Sequence, residues 1–166
     1  MNIINLFEQW AEQKNITLEH NNEKNDITQN EVLKKFENLK TEKCFLDFLK
    51  AFSKVESEDQ KVWFWCFNDY RNSNNPDEFT WNELEKMSLS YAENDIESNK
   101  IKEWWRLRLP ISLSLKDEYS YVAIDFSDNS SRIITGNEPI FEDSEIIANS
   151  FEDFLNRIIT GEIDWF

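Results

Sequence analysis

An α+β fold is the class this sequence predicts, and three observations predict it. Apolar residues recur at helical spacing through the first third. They alternate with other residues along several stretches of the last third, and the chain closes on a strongly amphipathic helical pattern. With 166 residues, 40% of them apolar and 14% aromatic, the chain can bury a sizeable core. No internal repeat or long low-complexity segment interrupts it. We expect one α+β domain over residues 1–166, its sheet at least partly antiparallel.

The elements follow in order. Ile3, Leu6, Phe7, Trp10 and Ala11 place a short amphipathic helix over Ile3 to Lys14. Asn15 to Asp26 is polar and Asn-rich, a connector. Thr28-Gln29-Asn30-Glu31 reads as a capping box, hydroxyl and carboxylate each satisfying a free amide, so a second helix is expected from about Gln29 to Leu39. The stripe Phe45, Phe48, Leu49 and Phe52 predicts a third helix over roughly Glu42 to Phe52. Val62 to Phe67 is apolar at both parities and predicts a central strand buried on both faces. A loop at Asn72 to Asp77 precedes Thr80-Trp81-Asn82-Glu83, a second capping-box pattern opening a helix with Trp81, Leu84 and Met87 or Ser88 inward. Ser90 to Lys100 shows no clear period and reads as a surface helix or loop.

Leu109, Ile111, Leu113 and Leu115 alternate with Pro110, Ser112 and Ser114, and Val122, Ile124 and Phe126 alternate with Tyr121, Ala123 and Asp125. Both stretches predict strands with one well-buried face. Ser127 to Ser130 is a turn by residue type, so Arg132 to Thr135 returns as a hairpin partner of Tyr121 to Phe126. Ser150-Phe151-Glu152-Asp153 opens the last helix. Its Phe151, Phe154, Leu155, Ile158 and Ile159 share a face, and Gly161 ends it.

Composition excludes several functions. Thirty-three acidic against 18 basic residues give a formal charge of −15. Phosphate backbones and anionic membranes are poor partners for such a surface, and neither nucleic acid nor membrane is expected as one. Two glycines, Gly136 and Gly161, are too few for phosphate-cradling loops. The single histidine, His20, lies in the polar connector and reads as exposed, leaving zinc sites and hydrolytic triads short of parts. No metal or cofactor is expected. Cys44 and Cys66 lack CxxC spacing and sit among apolar neighbours, as buried thiols do in a reducing cytoplasm. The N-terminus has no basic n-region, and Val62 to Phe67 is too short to span a bilayer, so a cytoplasmic protein is expected. Asp125 with Asp128, and Asp117 with Glu118, are the nearest carboxylate pairs for acid–base catalysis, but solvated surface acids account for them. Trp63 with Trp65, and Trp104 with Trp105, could stack bases or sugars, while charge and spacing assign them to the core. We expect no enzyme.

The charge is uneven. Leu115 to Phe166 holds 12 acidic and three basic residues, a net of −9, while Met1 to Ser114 nets −6. Solubility alone explains such a face, but so does complementarity to a basic partner. Asp117, Glu118, Asp128, Glu138, Glu142, Asp143 and Glu145, chosen by loop position and charge, are the candidate partner-binding residues.

The C-terminal half also resembles a known family. Trp104-Trp105-Arg106, Leu109-Pro110-Ile111, Tyr121-Val122-Ala123-Ile124-Asp125-Phe126, Arg132-Ile133-Ile134 and Ile147-Ala148-Asn149-Ser150-Phe151 follow the order and spacing of the SMI1/KNR4 (SUKH) superfamily. Phe45 to Leu49 and Phe79 to Glu85 resemble its upstream segments, and the resemblance covers roughly Gln29 to Ile159, with residues 1–28 an N-terminal helix and connector. Leu39-Lys40 and Ser53-Lys54 stand where the family commonly has leucine-proline and a glycine pair. The resemblance implies an α+β fold with a mixed or mainly antiparallel sheet packed against helices and, for bacterial members, a non-enzymatic immunity protein that binds and neutralises a polymorphic toxin, often a nuclease. It assigns Trp104, Trp105, Pro110, Asp125, Ser150 and Phe151 to the fold. Fungal members imply the alternative of a regulatory or scaffolding interaction domain.

Overall fold

Asn2 accepts the Asn5 amide at 3.0 Å and so opens the first helix, α1 (Ile3–Gln13), which buries Ile4, Phe7 and Ala11. The computed structural model describes all 166 residues. Beyond α1 the expected connector contains a strand, β1 (Thr17–His20), antiparallel to β2 (Phe52–Glu56), also absent from the sequence reading. Most of β1 faces solvent, so it carries no apolar alternation. His20 is 62% exposed there, 2.6 Å from Glu8.

The helix expected at Gln29 to Leu39 does not form. Two 3-10 turns, Leu33–Lys35 and Glu37–Thr41, take its place. Asp26 binds the amide and hydroxyl of Thr28, while Asn30 accepts the amides of Val32 and Leu33 at 3.0 and 2.9 Å. These local bonds divert the backbone groups a helix would use. Glu31, expected to close the box, instead accepts the Asn72 amide.

The helix α2 (Lys43–Ala51) buries Phe45, Phe48 and Leu49, ending one residue short of Phe52, which starts β2. The strand β3 (Val62–Phe64) is half the expected length, because Asp69 captures the Cys66 amide at 2.7 Å and starts a 3-10 turn, Phe67–Asp69. Helix α3 (Glu83–Ser90) follows, with Glu83 accepting the Thr80 amide. Helix α4 (Asp95–Trp105), capped by Asn94, fills much of the stretch that showed no period.

Strands β4 (Arg108–Ser114), β5 (Ser120–Asp125), β6 (Arg132–Asn137) and β7 (Glu145–Ala148), the last not foreseen, complete a seven-stranded sheet in chain order. Every neighbouring pair is antiparallel, which settles the sheet as a meander. Helix α5 (Phe151–Thr160) closes the fold, with Ser150 accepting the Asp153 amide and Gly161 left-handed at φ 80°.

Strands β4 and β5 are buried on both faces, not one, since Pro110, Ser112, Tyr121, Ala123 and Asp125 are buried with Leu109, Ile111 and Ile124. Both faces are covered. On one, Phe64 meets Phe7, Phe48, Phe151 and Phe154 of α1, α2 and α5. On the other, Tyr121 packs against Trp105 and Phe141, and Trp63 against Phe79. Burying one such aromatic contributes about 1.5–3 kcal/mol, so the phenylalanine layer is the main cohesive term. The resulting meander sends three turns and the C-terminal tail to one end of the sheet.

Candidate functional site

Four segments meet at that end: the β2–β3 turn (57–61), the β4–β5 turn (115–119), the β6–β7 connection (138–144) running into Glu145, and the tail after α5 (161–166). Trp165 ties the tail down, its indole Nε1 donating to Ser112 Oγ at 2.7 Å. Together these segments hold ten carboxylates, Glu58, Asp59, Asp117, Glu118, Glu138, Glu142, Asp143, Glu145, Glu162 and Asp164, against two lysines, Lys61 and Lys116. Glu138 and Glu142 are half-buried and the other eight are exposed.

Six of the seven sequence-derived candidates lie here. Asp117, Glu118, Asp143 and Glu145 are exposed, Glu118 accepting from the Asn137 carboxamide. Glu138 and Glu142 are more committed. Glu138 accepts the Tyr119 amide at 3.0 Å, and Glu142 accepts the Trp105 indole N–H at 2.6 Å as its segment folds over the Tyr121 face. Asp128 is at the opposite end, in the β5–β6 turn, where it binds Ser130 and Arg132. Those hydrogen bonds, the Ser130 hydroxyl first, hold its carboxyl below the ordinary range. Glu58, Asp59, Glu162 and Asp164 went unassigned in the sequence, because only the meander brings the 57–61 turn, and only helix α5 the C-terminal tail, beside the other two segments.

Apolar anchors accompany the acids. Ile140 is 61% exposed and Ile146 52% exposed, both on the segment that carries Glu142, Asp143 and Glu145. Exposed apolar side chains ringed by charge have the anatomy of a protein interface, a desolvating centre with a polar rim. A groove of about 900 Å³ lies at the same end between α1 and the tail, walled by Trp10, Ile163 and Phe166.

The remaining motif residues hold the fold. The Trp104 ring lies 4.4 Å beneath the Arg108 guanidinium, and Arg108 Nε is 3.3 Å from Asp125 Oδ1. Asp125 also accepts the Ser127 amide at 2.9 Å. The Pro110 carbonyl accepts the Tyr70 hydroxyl at 2.8 Å, and Phe151 is fully buried among phenylalanines. Both cysteines are free, and burial pushes the Cys44 thiol up to about 12. No group of three or more His, Cys, Asp or Glu side chains is arranged to hold a metal ion. No helix is long and apolar enough to cross a membrane.

Comparison of the chain with protein-family models and with curated proteins returns no match.

Proposed function

We propose that this chain is a non-enzymatic inhibitor of the immunity-protein type, a member of the SMI1/KNR4 (SUKH) superfamily that works in the cytoplasm and neutralises a basic toxin domain, a nuclease being the favoured class. One observation carries the reading: ten carboxylates against two lysines on four segments that the meander and helix α5 bring to one end of the sheet, with Lys14 after α1 the one further cation in the groove there. Such a surface attracts a cationic partner at long range and, once docked, occupies the lysines and arginines that would otherwise grip phosphates. Ile140 and Ile146 supply the apolar centre. No chemistry is required of the inhibitor, whose effect is stoichiometric occlusion.

Co-expression with the toxic C-terminal domain encoded by the adjacent upstream gene tests the proposal. Survival of the cells, a one-to-one complex, and an affinity that weakens about tenfold or more between low and high salt are expected. Absence of both rescue and complex overturns the inhibitor reading in favour of a regulatory interaction domain.

A further inference from the structure

Beside the acidic end, on the sheet face away from the phenylalanine layer, lies a hollow of about 260 Å³ whose walls include Trp63, Trp65, Phe79 and Trp81. Trp65 at its deep end is 3% exposed, whereas Phe79 at the mouth is 42% exposed. Trp63 stands edge-on to both Trp65 and Phe79, with centroids 6.5 and 6.1 Å apart. Phe79 stacks on Tyr119 of the β4–β5 turn, the turn that carries Asp117 and Glu118.

The charges around it are unbalanced. Arg71 is committed to Glu78, and Lys54, lining an adjoining hollow, to Glu56. Asp69, which lines both hollows, has no cationic partner within bridging distance, and only its Oδ2 is engaged, by the Cys66 amide.

We propose that this hollow takes an arginine side chain of the basic partner, its guanidinium lying against the tryptophan faces and pairing with Asp69. The inference rests on the partner being a basic protein, as argued above. A guanidinium suits the walls better than an ammonium because it is planar, weakly hydrated and stacks on aromatic rings. A neutral sugar would use the same rings and leave Asp69 without a cation.

The test titrates N-acetyl-arginine methylamide into the full chain, follows the tryptophan indole N–H signals by NMR, and repeats the series with the citrulline counterpart, which has the same shape and no charge. Saturable shifts of the Trp63, Trp65 and Trp81 signals are expected, at least tenfold weaker for citrulline and in an Asp69→Asn variant. Asparagine still accepts the Cys66 amide, so that variant keeps the local fold, and Phe79→Ala at the exposed mouth is a second variant expected to weaken binding. Equal response to citrulline, no loss in Asp69→Asn, shifts produced by a saccharide instead, or silence with arginine at tens of millimolar each overturn the proposal. Rescue in the co-expression experiment with a silent titration removes this hollow alone. Arginine binding without any toxin neutralised removes the inhibitor reading and leaves the hollow standing.

Discussion

Gly136 sits directly across from Tyr121 in the β5–β6 pairing, and a Cβ there would come within 2.7 Å of the Phe141 carbonyl oxygen and 2.8 Å of the Tyr121 ring and hydroxyl. That close approach lets the Tyr121 hydroxyl donate to Phe141 at 2.5 Å and so holds the segment bearing Glu142 against the sheet. Gly136→Ala is expected to cost about 1–3 kcal/mol by overpacking, read from the midpoint of denaturant unfolding, and an unchanged midpoint contradicts this packing. Asp125 and Arg108 form the least exposed ion pair, at 9% and 15% side-chain exposure. Removing one member strands the other, so Asp125→Ala should destabilise by about 3 kcal/mol in the same assay. Burial, with Glu152, Asp47 and Glu42 nearby, keeps Cys44 protonated at neutral pH, and Cys66 is pushed higher still. Native protein at pH 8 should therefore alkylate slowly with iodoacetamide while unfolded protein reacts at both thiols; fast native labelling would place Cys44 in solvent.

Helix α5 shows what an element adds to its residues. Ser150 caps the Asp153 amide and Asp153 returns the bond to the Asn149 amide at 2.9 Å, a reciprocal pair worth about 1 kcal/mol at the serine alone, the loss expected of Ser150→Ala. The Asn149 amide, and after it Arg157, hold the Asp153 carboxyl below the ordinary range. Because the folded pKa lies below the unfolded one, ionised Asp153 adds stability throughout the neutral range. That contribution is lost as pH falls from the unfolded value through the lowered one. An Asp153→Asn variant should thus show a shallower decline of stability below the ordinary carboxylate range than the parent, and parallel curves would exclude the linkage. This helix was legible in the sequence because cap, apolar spacing and terminal glycine all agree. Strands β1, β2 and β7 were not legible, being four or five residues long and partly exposed, so their apolar alternation is too short to register. The helix expected at Gln29 to Leu39 failed for a different reason: Asp26 and Asn30 satisfy its amides locally, a competition that residue spacing does not reveal.

Across the whole molecule, charge is sorted by the meander. Its turns send carboxylates to one end, while Arg106, Arg108 and Arg132 lie toward the other, where β4 and β6 begin. Charge and loop position in the sequence were enough to place Asp117, Glu118, Asp143 and Glu145 on an exposed rim. They could not show that Asp128 is at the far end, nor that Glu138 and Glu142 also support the fold through Tyr119 and Trp105. The tryptophans read as core divide likewise: Trp65 and Trp105 are buried, and half-buried Trp63 lines the two hollows. The most direct measurement of the central claim is therefore the affinity for the co-expressed toxin domain of two charge-reversed variants. One carries lysine at Asp117, Glu118, Asp143 and Glu145, and the other carries lysine at the exposed Glu23, Glu37, Asp47 and Glu152, on segments toward the opposite end of the sheet. Both have the same net charge. An acidic rim that binds the toxin requires that the rim variant folds, fails to protect cells and binds about 100-fold or more weakly, while the remote variant stays within about threefold of the parent. Equal affinities for the two folded variants would contradict it.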